Sequence, residues 1–402
     1  MLECTVERKE EARKPYRAVA LCPGGAEKVV SSELKKLGLA ALDTGFGRVR
    51  FGADTEGLYR ALVGLRAADR VLLEAGAFRA ADFDELFEGT RAIPWEKLAG
   101  ARLGVKVAKA RSIRSRLSAE TSIQSVAHKA IAQRLCKAHS LARLPETEEA
   151  AEVWVRIEKD EAQLLLDLSG EPLFKRGYRK KGGTAPLRET VAAALLLLSG
   201  WKRKYPLHDP FCGSGTILAE ALMYAWDMAP GLGRDFAISR LPFANRAVEE
   251  NVRDEFRAKV NVERTIRISG GDSDGEAVRL AESTLGAVAA LAGCAGALPE
   301  LCVEGVESAR PLFEIADGER GAGDPAGFVV TNPPYGKRLG DRAGAQKVYT
   351  QMSALAKPFR GWKLAVICDH TGFESFFGRK ADSCREISCG PEPSYFFQYG
   401  QL

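Results

Sequence analysis

Apolar and polar positions recur along the chain with periods that divide it into strands and helices of ordinary length. Residues 16–21 alternate as a strand, Pro23-Gly24-Gly25 turns the chain, and Val29, Val30, Leu34 and Leu37 follow at helical spacing up to Gly38. Residues 46–51 alternate again and 55–65 are helical, so a small α+β unit is predicted here. A second unit begins at Arg70-Val71-Leu72-Leu73, with short helices over 82–88 and 95–98 and a strand over 102–108. Residues 118–141 read as a helix with Ile123, Val126, Ile131 and Leu135 inward and Lys129, Arg134 and Lys137 outward. Two paired strands, 153–157 and 163–168, close that unit. From residue 186 the pattern changes to short apolar strands separated by helices. Strands fall at 206–208, 266–272, 301–306, 327–330 and 363–368, and a final antiparallel pair lies at 386–388 and 395–399. Five parallel strands followed by a reversed hairpin are predicted, in an α/β sheet with helical covers.

The chain has 402 residues, which favours two or three domains, and it is 46% hydrophobic and 28% charged, ample for a sizeable core. Its most apolar run, 192–198, is too short to span a membrane and lies between Arg188 and Lys202. Residues 1–14 mix Glu with Lys and Arg and hold no apolar segment, so a frayed leader over 1–15 is expected rather than a secretory signal. Nine cysteines are scattered singly and only four histidines are present, with no ligand spacing among them. That usage points to reduced cytoplasmic thiols and to no structural metal.

Charge changes the picture more than composition does. The net charge is +5, but the stretch from Lys106 to Arg143 holds nine Lys or Arg and two His against one acid, Glu120. The stretch from Pro172 to Arg188 holds six Lys or Arg and no acid. A solvated helix face usually interleaves both signs, so these excesses are the footprint of a polyanion. Lys106, Lys109, Arg111, Arg114, Arg116, Lys129, Lys175, Arg176, Arg179 and Lys180 are the candidate contacts. No aromatic pair of the base-stacking kind is evident, so binding is expected to rest on phosphates and shape.

Three motifs carry candidate chemistry. Thr331-Asn332-Pro333-Pro334-Tyr335-Gly336 follows the apolar run Gly327-Phe328-Val329-Val330, and its prolines stop the strand. Alone it is an X-Pro-Pro turn. It also places the Asn332 side chain and a neighbouring carbonyl, both acceptors, near the ring of Tyr335, which suits a flat base with an exocyclic amine. Asp209-Pro210-Phe211-Cys212-Gly213-Ser214-Gly215-Thr216 is a strand end, a tight Gly-x-Gly turn and a helix start. The acid before the turn favours an amino-bearing ligand over a pyrophosphate, and the missing third Gly argues against a dinucleotide. It could serve the methionine part of S-adenosylmethionine directly or by ordering the turn. Asp272, at the end of the next strand, is placed to accept from ribose hydroxyls, and Asp274 is placed to cap the following helix.

These motifs resemble those of a known family. Phe78-Arg79-Ala80, Phe83-Asp84-Glu85-Leu86-Phe87 and Leu166-Asp167-Leu168-Ser169-Gly170 look like the THUMP RNA-binding domain of bacterial RNA methyltransferases. The connector Leu173-Phe174-Lys175-Arg176-Gly177-Tyr178-Arg179 does too, with Phe174 where relatives usually carry His. From Tyr16 to the C-terminus the chain resembles two-part enzymes that methylate the exocyclic N2 amine of a guanine in large-subunit ribosomal RNA. The resemblance implies a ferredoxin-like α+β domain (16–68), a THUMP domain (69–170), a basic connector (171–188) and a Rossmann-like seven-stranded methyltransferase domain (189–402). It implies S-adenosylmethionine as cofactor, with Asn332, Pro333, Pro334 and Tyr335 catalytic and structured RNA as partner. Asp209, Cys212, Gly213, Gly215, Thr216, Asp272, Ser308, Asn332 and Leu187 would line the cofactor pocket, with the Ser308 oxygen, a shifted Glu307 or stacking holding the adenine. The family's adenine-binding Asp is replaced by Ser308, beside Glu307, and Lys337 stands where relatives often have Glu. A tRNA guanine methyltransferase, an adenine-N6 DNA methyltransferase and a non-catalytic RNA-binding assembly factor are the competing readings.

Overall fold

The computed structural model describes residues 15–145, 150–179, 187–293, 296–315, 320–334, 342–390 and 393–402. Tyr335, Lys337 and Lys180 lie outside the described residues.

In chain order the N-terminal elements are β1 (Tyr16–Leu21), α1 (Glu27–Lys36), β2 (Ala41–Gly45), β3 (Arg48–Ala53), α2 (Thr55–Gly64) and β4 (Arg70–Arg79). They continue with α3 (Phe83–Ala92), β5 (Val105–Ile113), α4 (Glu120–His139), β6 (Ala151–Glu158) and β7 (Glu161–Asp167). The first six make a ferredoxin-like βαββαβ unit. β4 pairs antiparallel with β1 on one side and with β7 on the other. All seven strands therefore form one sheet, ordered β2-β3-β1-β4-β7-β6-β5, and strands on both sides of residue 68 share it.

Several boundaries moved for physical reasons. β2 is exposed along its length and has no apolar period to reveal it. The alternation at 46–51 starts too early, because Phe46 is in the β2–β3 turn and is 81% exposed. β5 extends to Ile113 and absorbs the first basic residues of the Lys106–Arg143 stretch, with a bulge between Val107 and Lys109.

The C-terminal elements are α5 (Glu189–Ser199), β8 (Leu207–Asp209), α6 (Thr216–Ala225), α7 (Arg246–Ala258), β9 (Ile268–Asp272), α8 (Gly275–Ala292) and β10 (Glu300–Val303). They end with β11 (Phe328–Thr331), α9 (Arg342–Gln351), β12 (Lys363–Cys368), α10 (Phe373–Phe377), β13 (Ser383–Ile387) and β14 (Ser394–Tyr399). The strands build a second seven-stranded sheet, β10-β9-β8-β11-β12-β14-β13. β8 to β12 are mutually parallel, and β14 runs antiparallel to β12 and β13, which is the predicted plan. α7 was not foreseen, because its apolar stripe is only Val248, Val252 and Phe256 among charges. Its Asn245 cap accepts from the Val248 N–H at 3.2 Å.

The two halves share a core. Phe236, Ile238, Leu241, Val252 and Phe256 pack into the same apolar cluster as Leu34, Leu58, Leu62 and Trp95. The connector is bolted at that joint. Arg176, 2% exposed, meets the Glu220 carboxylate at 3.3 Å, donates to the Leu173 carbonyl at 2.6 Å and also bonds the Arg66 carbonyl. Tyr178 donates to the same carboxylate at 3.0 Å. Arg176 is therefore no RNA contact, because its guanidinium is consumed by interior acceptors. No described helix is long and apolar enough to cross a membrane.

Candidate active site

In the C-terminal sheet β9 and β10 lie on one side of β8, and β11 and β12 lie on the other. The strand order thus reverses between β8 and β11, and ligands of open parallel sheets sit at that switch point, outside the carboxyl ends of the strands. Asp209 ends β8, Asp272 ends β9, and Asn332 follows β11. The chain brings the three motifs together here. At ~4.8 Å per strand, the four ends from β10 to β11 span roughly 14 Å.

Asp209 locks the crevice from within. It is 1% exposed, and its Oδ1 accepts from the Thr331 hydroxyl at 2.6 Å and from the Phe211 N–H at 3.2 Å. The carboxylate therefore ties the Gly-rich turn to the strand that presents Asn332. Of the two routes expected for this acid, ordering the turn is the one these bonds serve. Burial pushes its carboxyl up to about 7, against the pull of the Thr331 and Phe211 bonds.

The turn itself needs its glycines. Gly213 and Gly215 have φ of +51° and +77°. A side chain on Gly213 would point into open space, whereas one on Gly215 would meet Ala281 of α8 at 3.0 Å. Gly213 thus leaves backbone open to a ligand, and Gly215 lets α6 approach α8. Cys212 is buried, and burial holds its thiol well above the ordinary range, which disfavours a thiolate nucleophile. Asp272 accepts from the Gly213 N–H and the Asp274 N–H, both at 3.0 Å, and so braces the turn from β9. Asp274 caps α8 through the Glu276 N–H at 2.8 Å.

Two buried acceptors in the crevice have no donor among the described residues, Asn332 Oδ1 and Glu304 Oε1. Buried polar atoms are normally paired, so each marks a place for a ligand's donor. Glu304 was not foreseen. It directly follows β10 as Asp272 ends β9, and its side chain covers Gly271. Its backbone N–H donates to the Asp272 carbonyl at 2.9 Å, and burial raises its carboxyl. The signal available was an acid at the end of the third parallel strand. Ser308 and Glu307 are both exposed in the following turn.

Thr216 opens α6, buried, and its hydroxyl accepts from Arg179 at 2.7 Å. Arg179 also donates to the Leu187 carbonyl at 3.1 Å and pairs with Glu189 at 3.3 Å. It clamps the connector to the cofactor turn, so its place is structural as well as basic. Leu187 is half-buried against the core beneath this turn. Pro333 is buried and Pro334 half-buried beside Asn332. Lys106, Lys109, Arg111, Arg114, Arg116, Lys129 and Lys175 are exposed, with Lys175 paired to Glu171.

Comparison with known proteins shows the family. The model of the RMKL-like methyltransferase domain matches residues 176–293 and 315–393, and that of the RlmL ferredoxin-like domain matches residues 17–72. A Bacillus subtilis (strain 168) protein assigned by name as an RNA methyltransferase, YpsC, is 33% identical over 389 residues, covering 96% of either chain. The chain belongs to the RMKL-like methyltransferase family. Ribosomal RNA large subunit methyltransferase K/L of Syntrophotalea carbinolica is 32% identical over 94% of this chain, which spans 52% of that relative. Among solved structures, SMU.472, assigned as a methyltransferase and complexed with SAH, superposes with a TM-score of 0.86 at 34% identity. The match covers 97% of this RMKL-like chain and 99% of that one. A Listeria monocytogenes structure assigned as an N6-adenine-specific DNA methylase gives a TM-score of 0.84 at 34% identity over 96% of both chains.

The site fits S-adenosylmethionine. That ligand carries hydroxyl and amine donors for the orphaned Glu304 acceptor at the β10 end of the crevice, and its flexible chain needs open backbone at the Gly213 turn.

Proposed function

We propose that this RMKL-like enzyme uses S-adenosylmethionine to methylate the exocyclic N2 amine of a guanine in large-subunit ribosomal RNA, in the cytoplasm. The observation that carries the reading is the buried Asn332 Oδ1, held at the end of β11 with no donor among the described residues. Asp272 and Glu304 would hold the ribose and adenine end, and the Gly213 turn the methionine end. The cofactor supplies an electrophilic methyl group on a sulfonium.

The guanine amine is a weak nucleophile because its lone pair is delocalised into the ring. Asn332 Oδ1 and the Pro333 carbonyl accept its two hydrogens and favour a pyramidal nitrogen whose lone pair points outward. They bind the positively charged transition state better than the neutral amine, which lowers the barrier. As the N–C bond forms, the S–C bond would break with its electrons staying on sulfur, and the methylated amine would pass one proton to water. Tyr335 stacks on the extruded base in this reading. The exposed Lys and Arg residues of a THUMP domain over 69–170 hold the RNA phosphates.

The name of the Listeria structure favours a second reading, adenine-N6 methylation of DNA, because adenine offers a similar amine to the same acceptors. Incubation of the enzyme with labelled S-adenosylmethionine and unmodified ribosomal RNA, tRNA or duplex DNA separates the readings. N2-methylguanosine in digested ribosomal RNA supports the first reading, and N6-methyladenine in DNA replaces it.

A further inference from the structure

The N-terminal sheet has a second face, turned away from the core that its helices cover. On it Val19, Leu72 and Leu165 form a small apolar cluster of their own, with Leu21 and Trp154 packed against it. This face is concave. The Arg48 guanidinium on β3 lies 4.0 Å from the Glu158 carboxylate on β6, although β1, β4 and β7 stand between those strands. The curvature encloses a trough of about 520 Å³, closed at one end by the first residues of α4.

The walls are cationic. Arg48, Lys109, Arg111 and Arg156 line the trough, against the single acid Glu120. The Lys109 ammonium lies 4.6 Å from the centre of the Trp154 ring, and the Arg70 guanidinium 5.3 Å from it. Three buried donors on this face have no acceptor among the described residues: Trp154 Nε1, Arg50 Nε and Arg156 Nε. Burial and the nearby charges of Arg156 and Arg50 also hold the Arg48 guanidinium below its ordinary range. The unsatisfied groups are thus donors, and the four lining cations outnumber the two carboxylates that reach them, Glu158 at 2.9 Å from Arg156 and 4.0 Å from Arg48, and Glu120 at 3.7 Å from Arg111.

We propose that this trough binds one unpaired nucleotide of the RNA substrate, its base against Trp154 and the apolar floor, its phosphates among Arg48, Arg111 and Arg156. An apolar partner would leave the three donors unpaired, and an acidic peptide has no flat ring for the tryptophan. A nucleotide offers both a π face and acceptor-only phosphates. The volume lies within the ~300–1,000 Å³ of small-ligand sites and is too narrow for a duplex. The expectation of phosphate and shape recognition alone is thereby extended to one stacked base. The proposal rests on the reading that this enzyme acts on RNA.

The test uses the full chain and a fluorescent single-stranded RNA dodecamer of mixed sequence, beside the matching RNA duplex, in anisotropy titrations over a salt series. Trp154→Leu, which keeps apolar bulk and removes the π face, is expected to weaken single-strand binding about tenfold with the salt slope unchanged. Arg111→Gln, which removes one of the proposed phosphate contacts, is expected to lower that slope by about one. In the unaltered protein, a 4-thiouridine dodecamer should photocrosslink to the peptide holding Trp154, a readout that survives any folding defect in the variants. Wild-type binding that neither substitution changes, with crosslinks elsewhere, overturns the trough and leaves the enzymatic reading intact. A wild-type protein that binds neither RNA form at low salt overturns the RNA reading as well.

Discussion

Asp209→Asn isolates what the buried acid at the switch point does. The amide keeps the shape of the carboxyl, and its Oδ1 can still accept from the Thr331 hydroxyl and the Phe211 N–H, now at 2.6 and 3.2 Å. Only the charge is lost. In the folded chain the carboxyl titrates at about 7, against a reference of 3.8, because burial opposes ionisation. The folded state therefore binds this proton more tightly than the unfolded chain does. The contribution to stability is fully present below pH ~3.8 and is lost as pH rises through ~7. With those two values and 1.36 kcal/mol per pH unit, the wild type loses roughly 2.5 kcal/mol from this group between pH 5 and pH 8. The variant has nothing to titrate here. Urea denaturation of both proteins at pH 5, 6, 7 and 8 should show the variant gaining on the wild type by about that amount. A constant difference across the series would mean that Asp209 is ionised throughout, and the locking role of its neutral form would fall.

Other substitutions test other parts of the site. Asn332→Ala should bind S-adenosylhomocysteine nearly normally by calorimetry while kcat falls about 10²–10³-fold, as for loss of one oriented transition-state contact; unchanged turnover would remove Asn332 from the chemistry. Glu304→Ala should weaken cofactor affinity about 10- to 150-fold, equivalent to a hydrogen bond to a charged group, and an unchanged Kd would place its carboxylate outside the pocket. Arg176→Ala leaves the Glu220 carboxylate buried without its cation and should cost about 3–5 kcal/mol in urea unfolding. The loss should appear without RNA or cofactor present, and a loss seen only in RNA binding would restore Arg176 to the RNA surface.

Much of the catalytic half was legible because its local and long-range signals agree. A strand ending in Asp209 and a Gly-x-Gly turn can hardly lead anywhere but into a helix. An apolar run stopped by Pro333 and Pro334 must leave Asn332 at a strand end. Glu304 was missed because an acid after a short, half-exposed strand looks like surface. Its burial depends on Gly271 of the neighbouring strand, which only the sheet register reveals.

Arg176 was misread for a related reason. A run of cations in a sequence reports sign, not exposure, and the carboxylate that neutralises this one lies 44 residues later in α6. The carbonyls of Leu173 and Arg66 each accept from one of its other nitrogens.

The connector therefore does two jobs that its composition cannot separate. Lys175 faces solvent, while Arg176 and Arg179, respectively one and four residues on, turn inward to Glu220 and to the Thr216 hydroxyl. Thr216 is the first residue of α6, whose preceding glycines shape the proposed cofactor turn. The same few residues thus join the half that carries the exposed cations to the half that carries Asn332. The shared core of Leu58, Trp95, Phe236 and Phe256 fixes that junction by packing. An RNA segment held on the N-terminal sheet would then meet the crevice at a spacing set by the folded chain. Under the proposed reaction a guanine would reach Asn332 by being drawn out of the RNA, and a stacking trough away from the reacting base would offset part of that unstacking cost.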